Sequence, residues 1–439
     1  MAAGNRNLSD LRSRLGFLLG ALIVFRIGSH VPVPGVDYVR LQSSFAEGGG
    51  GLFDLFNLFS GGALSCASVM AMGIFPYITA SIIMMLASYS IPTLEEMRKE
   101  GAAGRRRINQ YTRYATVPLA LFQSYGYVLA LESGALGDVV DTPGAAFRIT
   151  AMISMLGGSV FLMWLGEQIT ERGIGNGISL LIFASIITSL PLALGQLFDG
   201  VRVGTYSPFF VVAILLGSAA LLAGVVFMER GQRRVLINYA KRQVGNRLMG
   251  GQASYLPLKV NMAGVMPAIF AYAIVTFPAT LLLFASAGGS NWLRDISAYL
   301  QRGTPLYFLT LTATIVFFTF FFVSLVYNSR ENSDMLRKSG AFVPGIRPGE
   351  QTALYLEKLV TRLTLVGAIY IAVICLLPEV LFSQLSLASI FGGTSILIMV
   401  VVALDFMEQI QHYMLTQQYG SLLKNSPAGG IPSPAKKRR

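Results

Sequence analysis

The stretch LFDLFNLFSGGALSCASVMAMGIFPYITASIIMMLAS, Leu52 to Ser88, reads as a broken membrane segment and not as one ordinary span. Its first half, Leu52 to Phe59, is short and aromatic, its second, Val69 to Ala87, is long and apolar, and Ser60-Gly61-Gly62 joins them. Glycine pairs break helices. Eight residues of helix rise only about 12 Å, against a hydrocarbon core of roughly 30 Å, so the first half cannot cross. Lipid cannot satisfy the backbone groups freed by such a break, so other helices must bury the segment or it must line a cavity. It reads as a stopper, and the rest of the chain reads as its walls.

Of the 439 residues 53% are hydrophobic and only 13% charged, and the mean hydropathy is +0.59, which excludes an ordinary soluble globular protein. Apolar windows fall at Leu15 to Val31, Val69 to Ser90, Tyr114 to Leu131, Phe147 to Leu165, Ile178 to Leu194, Phe209 to Met228, Val260 to Ala287, Leu306 to Tyr327, Leu363 to Leu381 and Ile390 to Leu404. They predict ten spans in one all-α membrane domain, with no stretch left for a separate soluble domain. Arg6, Arg12 and Arg14 precede the first window as in a signal peptide, but the window runs on through Arg26 with no small-residue cleavage site before Pro32, so it is expected to stay as the first span. Cys66 and Cys375 are too few for a disulfide framework, and His30 and His412 are the only histidines, so neither a metal nor a cofactor is expected.

With the N-terminus cytoplasmic, 28 of the 34 Lys and Arg fall on the cytoplasmic side, as the positive-inside rule requires. Both termini are then cytoplasmic. Ten spans divide into two halves, residues 1–200 and 201–423, with 424–439 as a basic tail read as disordered and attracted to anionic lipid or RNA. Five is odd, so the second half starts on the opposite side and any repeat is inverted, a plan common among transport proteins.

The loops carry the charge. Glu229 to Lys259, ERGQRRVLINYAKRQVGNRLMGGQASYLPLK, alternates around Val235, Ile237 and Tyr239 and turns at Gly245-Asn246, which predicts a cationic hairpin. A solvated positive-inside loop is the plain alternative. Seven basic residues with Tyr239 and Tyr255 interleaved exceed what orientation needs and suit RNA or a large acidic partner. The second basic loop, Asn328 to Arg362, holds FVPGIRPGEQT, Phe342 to Thr352, where Pro344-Gly345 and Pro348-Gly349 bracket Arg347 and present one cation at a loop tip. No Gly-Lys dipeptide occurs, so the chain should not hydrolyse nucleotide itself.

Inside the windows ionisable groups are nearly absent: Arg26 lies in the first, Glu167 closes the fourth, and Asp405 and Glu408 sit at the end of the tenth. No central pair is available to bind a coupling ion, relay a proton or act as catalytic acid and base, so no enzyme is expected. Ile74 and Ile78 share one helix face, Ile178 and Ile182 repeat the spacing, Ile269 follows Pro267, and Ile398 lies within the last window. On spacing alone these are core or lipid-facing residues.

The phrases LFSGGALS at Leu58 to Ser65, GIFPYITASII at Gly73 to Ile83, LGEQITERGIGNGIS at Leu165 to Ser179, VNMAGVMPAIF at Val260 to Phe270, and FVPGIRPGEQT together closely resemble the bacterial SecY family along nearly the whole chain. The resemblance implies the central subunit of a protein-conducting channel in the bacterial cytoplasmic (inner) membrane, two five-span halves clamped around an hourglass pore. It reverses the core reading of Ile74, Ile78, Ile178, Ile182, Ile269 and Ile398, which match the pore constriction. Leu52, Phe53, Asp54, Leu55, Phe56, Asn57, Leu58, Phe59, Ser60, Gly61 and Gly62 match the plug, which runs on to Leu64. Thr79, Ile82, Met85 and Phe277 fall in the lateral gate, with Thr79 facing Phe277. Arg233, Arg234, Lys241, Arg242 and Arg347 match docking points for the SecA ATPase and the ribosome. SecE and SecG as small membrane subunits, signal sequences, nascent polypeptides and anionic lipids are the further partners implied.

Two departures from the family pattern stand out. Asn328-Ser329-Arg330-Glu331 has serine where the family has proline, which questions the stiffness of that loop's start. Met85 replaces a frequent glutamine, and a less polar seam should hold the gate shut more firmly. Met85→Gln is therefore expected to improve export of proteins with weak signal sequences, measured against the unaltered channel; equal export would refute the idea. A coupled solute transporter and a pore-less scaffold for ribosomes are the rival readings, and reconstituted vesicles separate all three.

Overall fold

The computed structural model describes residues 2–46, 57, 59–132, 138–239, 242–244, 247–249, 253–275, 304–384 and 393–425. Helix α1 (Ala2–Gly28) and the short α2 (Tyr38–Ala46) precede the broken stretch. Helix α3 (Phe75–Ser90) follows it and turns through 97° into α4 (Pro92–Lys99). The residue before a proline is pushed towards extended backbone, and Ile91 has φ −104° and ψ 118°, so α3 stops there and Pro92 starts the next helix.

Long helices follow: α5 (Ala102–Glu132), α6 (Ala145–Arg172), α7 (Gly177–Arg202) and α8 (Pro208–Arg230). Met266–Val275 forms a short apolar helix, α9. Then come α10 (Pro305–Val326), α11 (Ser329–Lys338), α12 (Glu350–Gln384) and α13 (Gly393–Asn425). By length and composition five segments among the described residues could cross a membrane, Ala145–Arg172, Pro208–Arg230, Pro305–Lys338, Glu350–Pro378 and Gly393–Leu415, and the bent α3–α4 pair makes a sixth. The other expected windows lie on helices that are shorter or more polar, and the seventh lies outside the described residues from 276 onward.

Neighbour packs on neighbour in the order α3, α5, α6, α7, α13, α12, α10. The circuit returns to its start through an edge-on pair of rings, Tyr89 of α3 and Phe321 of α10, 6.2 Å apart. Close approach demands glycine at two places along it. A Cβ on Gly177 would stand 1.9 Å from the Gly166 carbonyl oxygen, and one on Gly158 would stand 2.0 Å from that of Val69. The first lets α6 and α7 touch backbone to backbone; the second seats the broken stretch against α6. Asn176 caps α7 by accepting from the Ile178 and Ser179 amides. Near the same cap, Asp10 of α1 accepts a hydrogen bond from the Tyr413 hydroxyl, which holds its carboxyl below the ordinary value.

The basic hairpin is present. Strand β1 (Gln232–Tyr239) pairs antiparallel with β4 (Ala253–Lys259), Val235 opposite Leu256, and the shorter β2 (Arg242–Val244) and β3 (Arg247–Met249) flank the expected turn. Val235 and Ile237 are buried while Arg234 and Leu236 face out, so the period-2 reading holds over these residues; it fails at Tyr239, which is exposed. Ser329 leaves no loose start to the next loop: Asn328 caps α11, its side chain accepting from the Arg330 and Glu331 amides at 3.2 and 3.4 Å. Serine occupies the first helical position, where proline would serve equally.

α1, α5, α7 and α12 outrun their windows, and α3 and α13 differ from theirs as well. α3 begins at Phe75 and not Val69, because Gly73 adopts φ +56° and Pro76 lies in the first turn. α13 runs well past Leu404, since Met, Gln and Leu there are good helix formers whether or not lipid surrounds them.

Candidate functional site

Four helices bring the six isoleucines together. Ile74 and Ile78 come from the start of α3, Ile178 and Ile182 from the start of α7, Ile269 from α9 and Ile398 from the second turn of α13. All belong to one apolar cluster, five of them buried and Ile178 half-buried against the rest. Phe59, Met70, Phe75, Ile82 and Val275 share it. None of the six side chains carries a hydrogen-bonding atom, so the cluster can exclude water and chain alike only by packing.

The broken stretch rests on this cluster. Phe59 is buried with its ring 5.8 Å from that of Phe75. From Gly61 to Ile74 the chain is turned and not helical, and hydrogen bonds account for it one by one. The Gly62 amide donates to the Asn57 carbonyl at 2.9 Å, the Ser65 amide to Asn57 Oδ1 at 2.9 Å, and the Tyr127 hydroxyl of α5 to the Leu64 carbonyl at 2.8 Å. The proline exit of α1 supplies a second edge: the Val33 amide donates to the Ala67 carbonyl and the Val69 amide to that of Val31, both at 2.9 Å. Arg26, the lone cation expected inside a window, donates from Nη1 to the Gly61 carbonyl at 3.0 Å. Gly61 itself has φ +69°, and a Cβ there would meet Ser185 of α7 at 3.1 Å. Leu52 to Phe56 and Leu58 lie outside the described residues.

Of the gate residues, Thr79 and Ile82 are buried and Met85 is half-buried against the same cluster. Thr79 turns its hydroxyl to the Phe75 carbonyl of its own helix, 3.1 Å away; Phe277 lies outside the described residues. Sequence reading missed what holds this seam at its far end, the Tyr89–Phe321 pair with the Arg98 guanidinium 3.9 Å over the Tyr89 ring. An aromatic residue just before a proline carries no periodic signal.

Arg233 and Arg234 are adjacent on β1, hence on opposite faces, and both are exposed, as is Arg347 at its loop tip. Lys241 lies outside the described residues, as do 426–439 of the tail, and Arg242 is placed by its backbone alone. The two basic loops are joined: β5 (Ala341–Phe342) adds to β1 through Tyr239↔Ala341 and Asn238↔Phe342, giving a three-stranded sheet β4-β1-β5. Val235, Leu258, Ala263, Val323, Val343 and Val360 form a small core beneath it. Lys259 is engaged with Glu408 of α13 at 3.1 Å. Among the described residues no group of His, Cys, Asp and Glu could hold a metal ion.

The SecY family model matches residues 68–407. Protein translocase subunit SecY of Escherichia coli K12 is 54% identical over 428 residues, covering 96% of each chain, and those of Vibrio cholerae and Pseudomonas aeruginosa are 51% and 49% identical. The chain belongs to the SecY family. Its relatives are named as translocase subunits and not as enzymes, and its apolar helices make it a multi-pass membrane protein. Solved structures share the fold at low identity. The structure of a protein conducting channel gives a TM-score of 0.67 at 16% identity, covering 94% of this chain and 95% of that one, and Sec61 in the canine ribosome-channel complex gives 0.61 with the same identity and coverage. A structure on the plug domain of SecY, described as stabilising the closed state and the membrane seal, gives 0.65 at 17% identity, again covering 94% and 95%.

Proposed function

We propose that the chain is a passive, gated conduit that moves unfolded secretory polypeptides across the bacterial cytoplasmic membrane and releases transmembrane segments into lipid. One observation carries this reading: isoleucines from four helices meet in a single apolar cluster on which a buried, non-helical segment sits. A ring of aliphatic side chains gates by dewetting, and it fits around a passing chain without offering it hydrogen bonds. The residues from Asn57 to Leu64, with the preceding Leu52 to Phe56, act as the plug.

The seam between α3 and α10 is the lateral gate, flanked by Thr79, Ile82, Met85 and Phe277. A hydrophobic segment leaving through it gains roughly 25 cal/mol per Å² of apolar surface, so a gate that samples opening sorts segments without an energy source. Hydrophilic chain needs an engine, and the sheet bearing Arg233, Arg234 and Arg347 is the docking face for SecA and the ribosome, with Lys241 and Arg242 beside it. Ten spans in two inverted halves, both termini cytoplasmic, and contacts with SecE, SecG, signal sequences and anionic lipids complete the reading. Vesicles reconstituted with the purified complex test it: polypeptide import that requires the motor supports the conduit, and import of solute alone, or binding without transport, refutes it.

Arg26 has a role of its own in this reading. A hydrogen bond from a charged donor contributes about 1.5–3 kcal/mol, and this one ties α1 to the plug's glycine turn. Arg26→Leu is expected to raise the population of displaced plug about tenfold or more, read as ion current through resting channels. Arg26→Lys should recover part of the seal. A wild-type current in Arg26→Leu would remove the anchor.

A further inference from the structure

A second cavity, separate from the apolar waist, opens where α3 and α4 meet α10, α11 and α12. It has a volume of about 570 Å³; Tyr89, Arg98, Tyr327, Asn328, Arg330 and Glu357 give it a polar lining, and apolar side chains from α10 and α12 complete it. We propose that it binds a phosphate oxyanion, carried by a phospholipid headgroup or free in solution.

The donors in this wall lack acceptors. The Arg98 guanidinium carbon sits 3.9 Å from the centre of the Tyr89 ring, a cation–π contact that holds it at the cavity. Its Nη1 is shielded from solvent without a hydrogen-bond partner, and so is the Tyr327 hydroxyl. Leaving such groups unpaired is unfavourable, most of all for a charged one. The neighbouring hydroxyls cannot help: Ser324, Thr361 and Thr364 give their hydrogens to the Phe321, Glu357 and Val360 carbonyls of their own helices at 2.7, 2.8 and 2.8 Å. Asn328 spends Oδ1 on the α11 cap and keeps its amide N–H groups. Neither Arg98 nor Arg330 forms a salt bridge among the described residues.

What remains is a set of donors, two of them cationic, facing a single carboxylate, the exposed Glu357. Guanidinium groups donate and never accept, so the complementary ligand is anionic and rich in acceptors. A phosphate offers several non-ester oxygens in a tetrahedral set, which suits donors arriving from different helices better than a planar carboxylate does. The apolar wall beside it suits the first methylenes of a lipid tail. An anion held there links α4 to α10 and α11 across the seam. In the channel reading it stabilises the closed gate; the binding itself does not depend on that reading.

Native mass spectrometry of the purified channel complex in detergent tests the site, with phosphatidylglycerol, diacylglycerol of the same tails, and inorganic phosphate as probes. Phosphatidylglycerol is expected to bind about tenfold more weakly to Arg98→Gln and severalfold more weakly to Tyr327→Phe, and equally well to Arg105→Gln, a cation elsewhere on the rim. Diacylglycerol should show no such dependence. Phosphate binding with the same variant pattern, and no preference for the lipid, assigns the site to the free anion. Equal binding of both phosphate probes to wild type and Arg98→Gln overturns the proposal. If Arg98→Gln does not fold, Arg98→Lys combined with Tyr327→Phe serves: weaker binding supports the site, and wild-type affinity overturns it.

Discussion

Replacing Ile78 and Ile182 together by glycine is expected to make resting channels conduct ions. The two side chains reach the cluster from different helices and both are buried, 7% and 4% exposed, so their removal thins the cluster from two helices at once. A cavity there is lined on two sides by backbone that water can wet, which removes the dry gap on which the seal depends. Each deletion also sacrifices about 1.5–3 kcal/mol of burial, and glycine within a helix costs roughly 1 kcal/mol more. The variant will therefore be less stable, and Ile78→Val with Ile182→Val is the control, since it keeps the branched aliphatic wall. Planar-bilayer recordings without motor or substrate should show current rising about tenfold or more in the glycine pair, with the valine pair near wild type. Deleting Leu52 to Phe59 as well should raise it further. An unchanged conductance in the glycine pair would show that the cluster is ordinary core and that the seal lies elsewhere.

That distinction is the one the bare sequence could not make. Isoleucines four apart read as core by spacing, and in the structure they are in a core; the constriction reading comes from the family resemblance, and the structure adds that four helices contribute them beneath a turned segment. The break at Ser60-Gly61-Gly62 was legible because glycine acts locally. Its length was not, because the turns from Gly61 to Ile74 are held by partners distant in sequence: Val31 and Val33 on one side, Tyr127 on the other, Arg26 at the tip. The hairpin was legible from its alternation, since one face of β1 is buried and the other is solvated. Its partner strand β5 was not, because two residues carry no period. Arg98 was visible only as part of a mixed-charge rim, and its stacking on Tyr89 depends on the 97° bend at Ile91, a tertiary feature.

Arg347→Glu is expected to cripple motor-driven translocation while leaving the fold intact. The side chain is exposed and forms no salt bridge among the described residues, so reversing its charge disturbs nothing inside the protein. Its backbone is held from several directions. Gly345 and Gly349 adopt φ +82° and +105°, which favour glycine; the Thr352 hydroxyl donates to the Arg347 carbonyl at 2.9 Å, and the Ser333 hydroxyl to that of Gly349 at 2.7 Å. β5, just before the tip, is zipped to β1, so the loop that carries the cation is tethered to the sheet that bears Arg233 and Arg234. A cation so fixed is worth more to a partner than one on a free loop, because little entropy remains to be lost on binding. Losing a paired charge at an interface costs about 2–5 kcal/mol, enough to lower docking roughly 30-fold or more. Import of a secretory protein into vesicles driven by SecA and ATP should fall accordingly, with Arg347→Gln between the extremes and the thermal midpoint of the complex within about 2 °C of wild type, as for surface substitutions generally. Release of a strongly hydrophobic segment into lipid should suffer less, because partition supplies its own driving force. Import at the wild-type rate by a well-folded Arg347→Glu complex would take the docking role away from this loop.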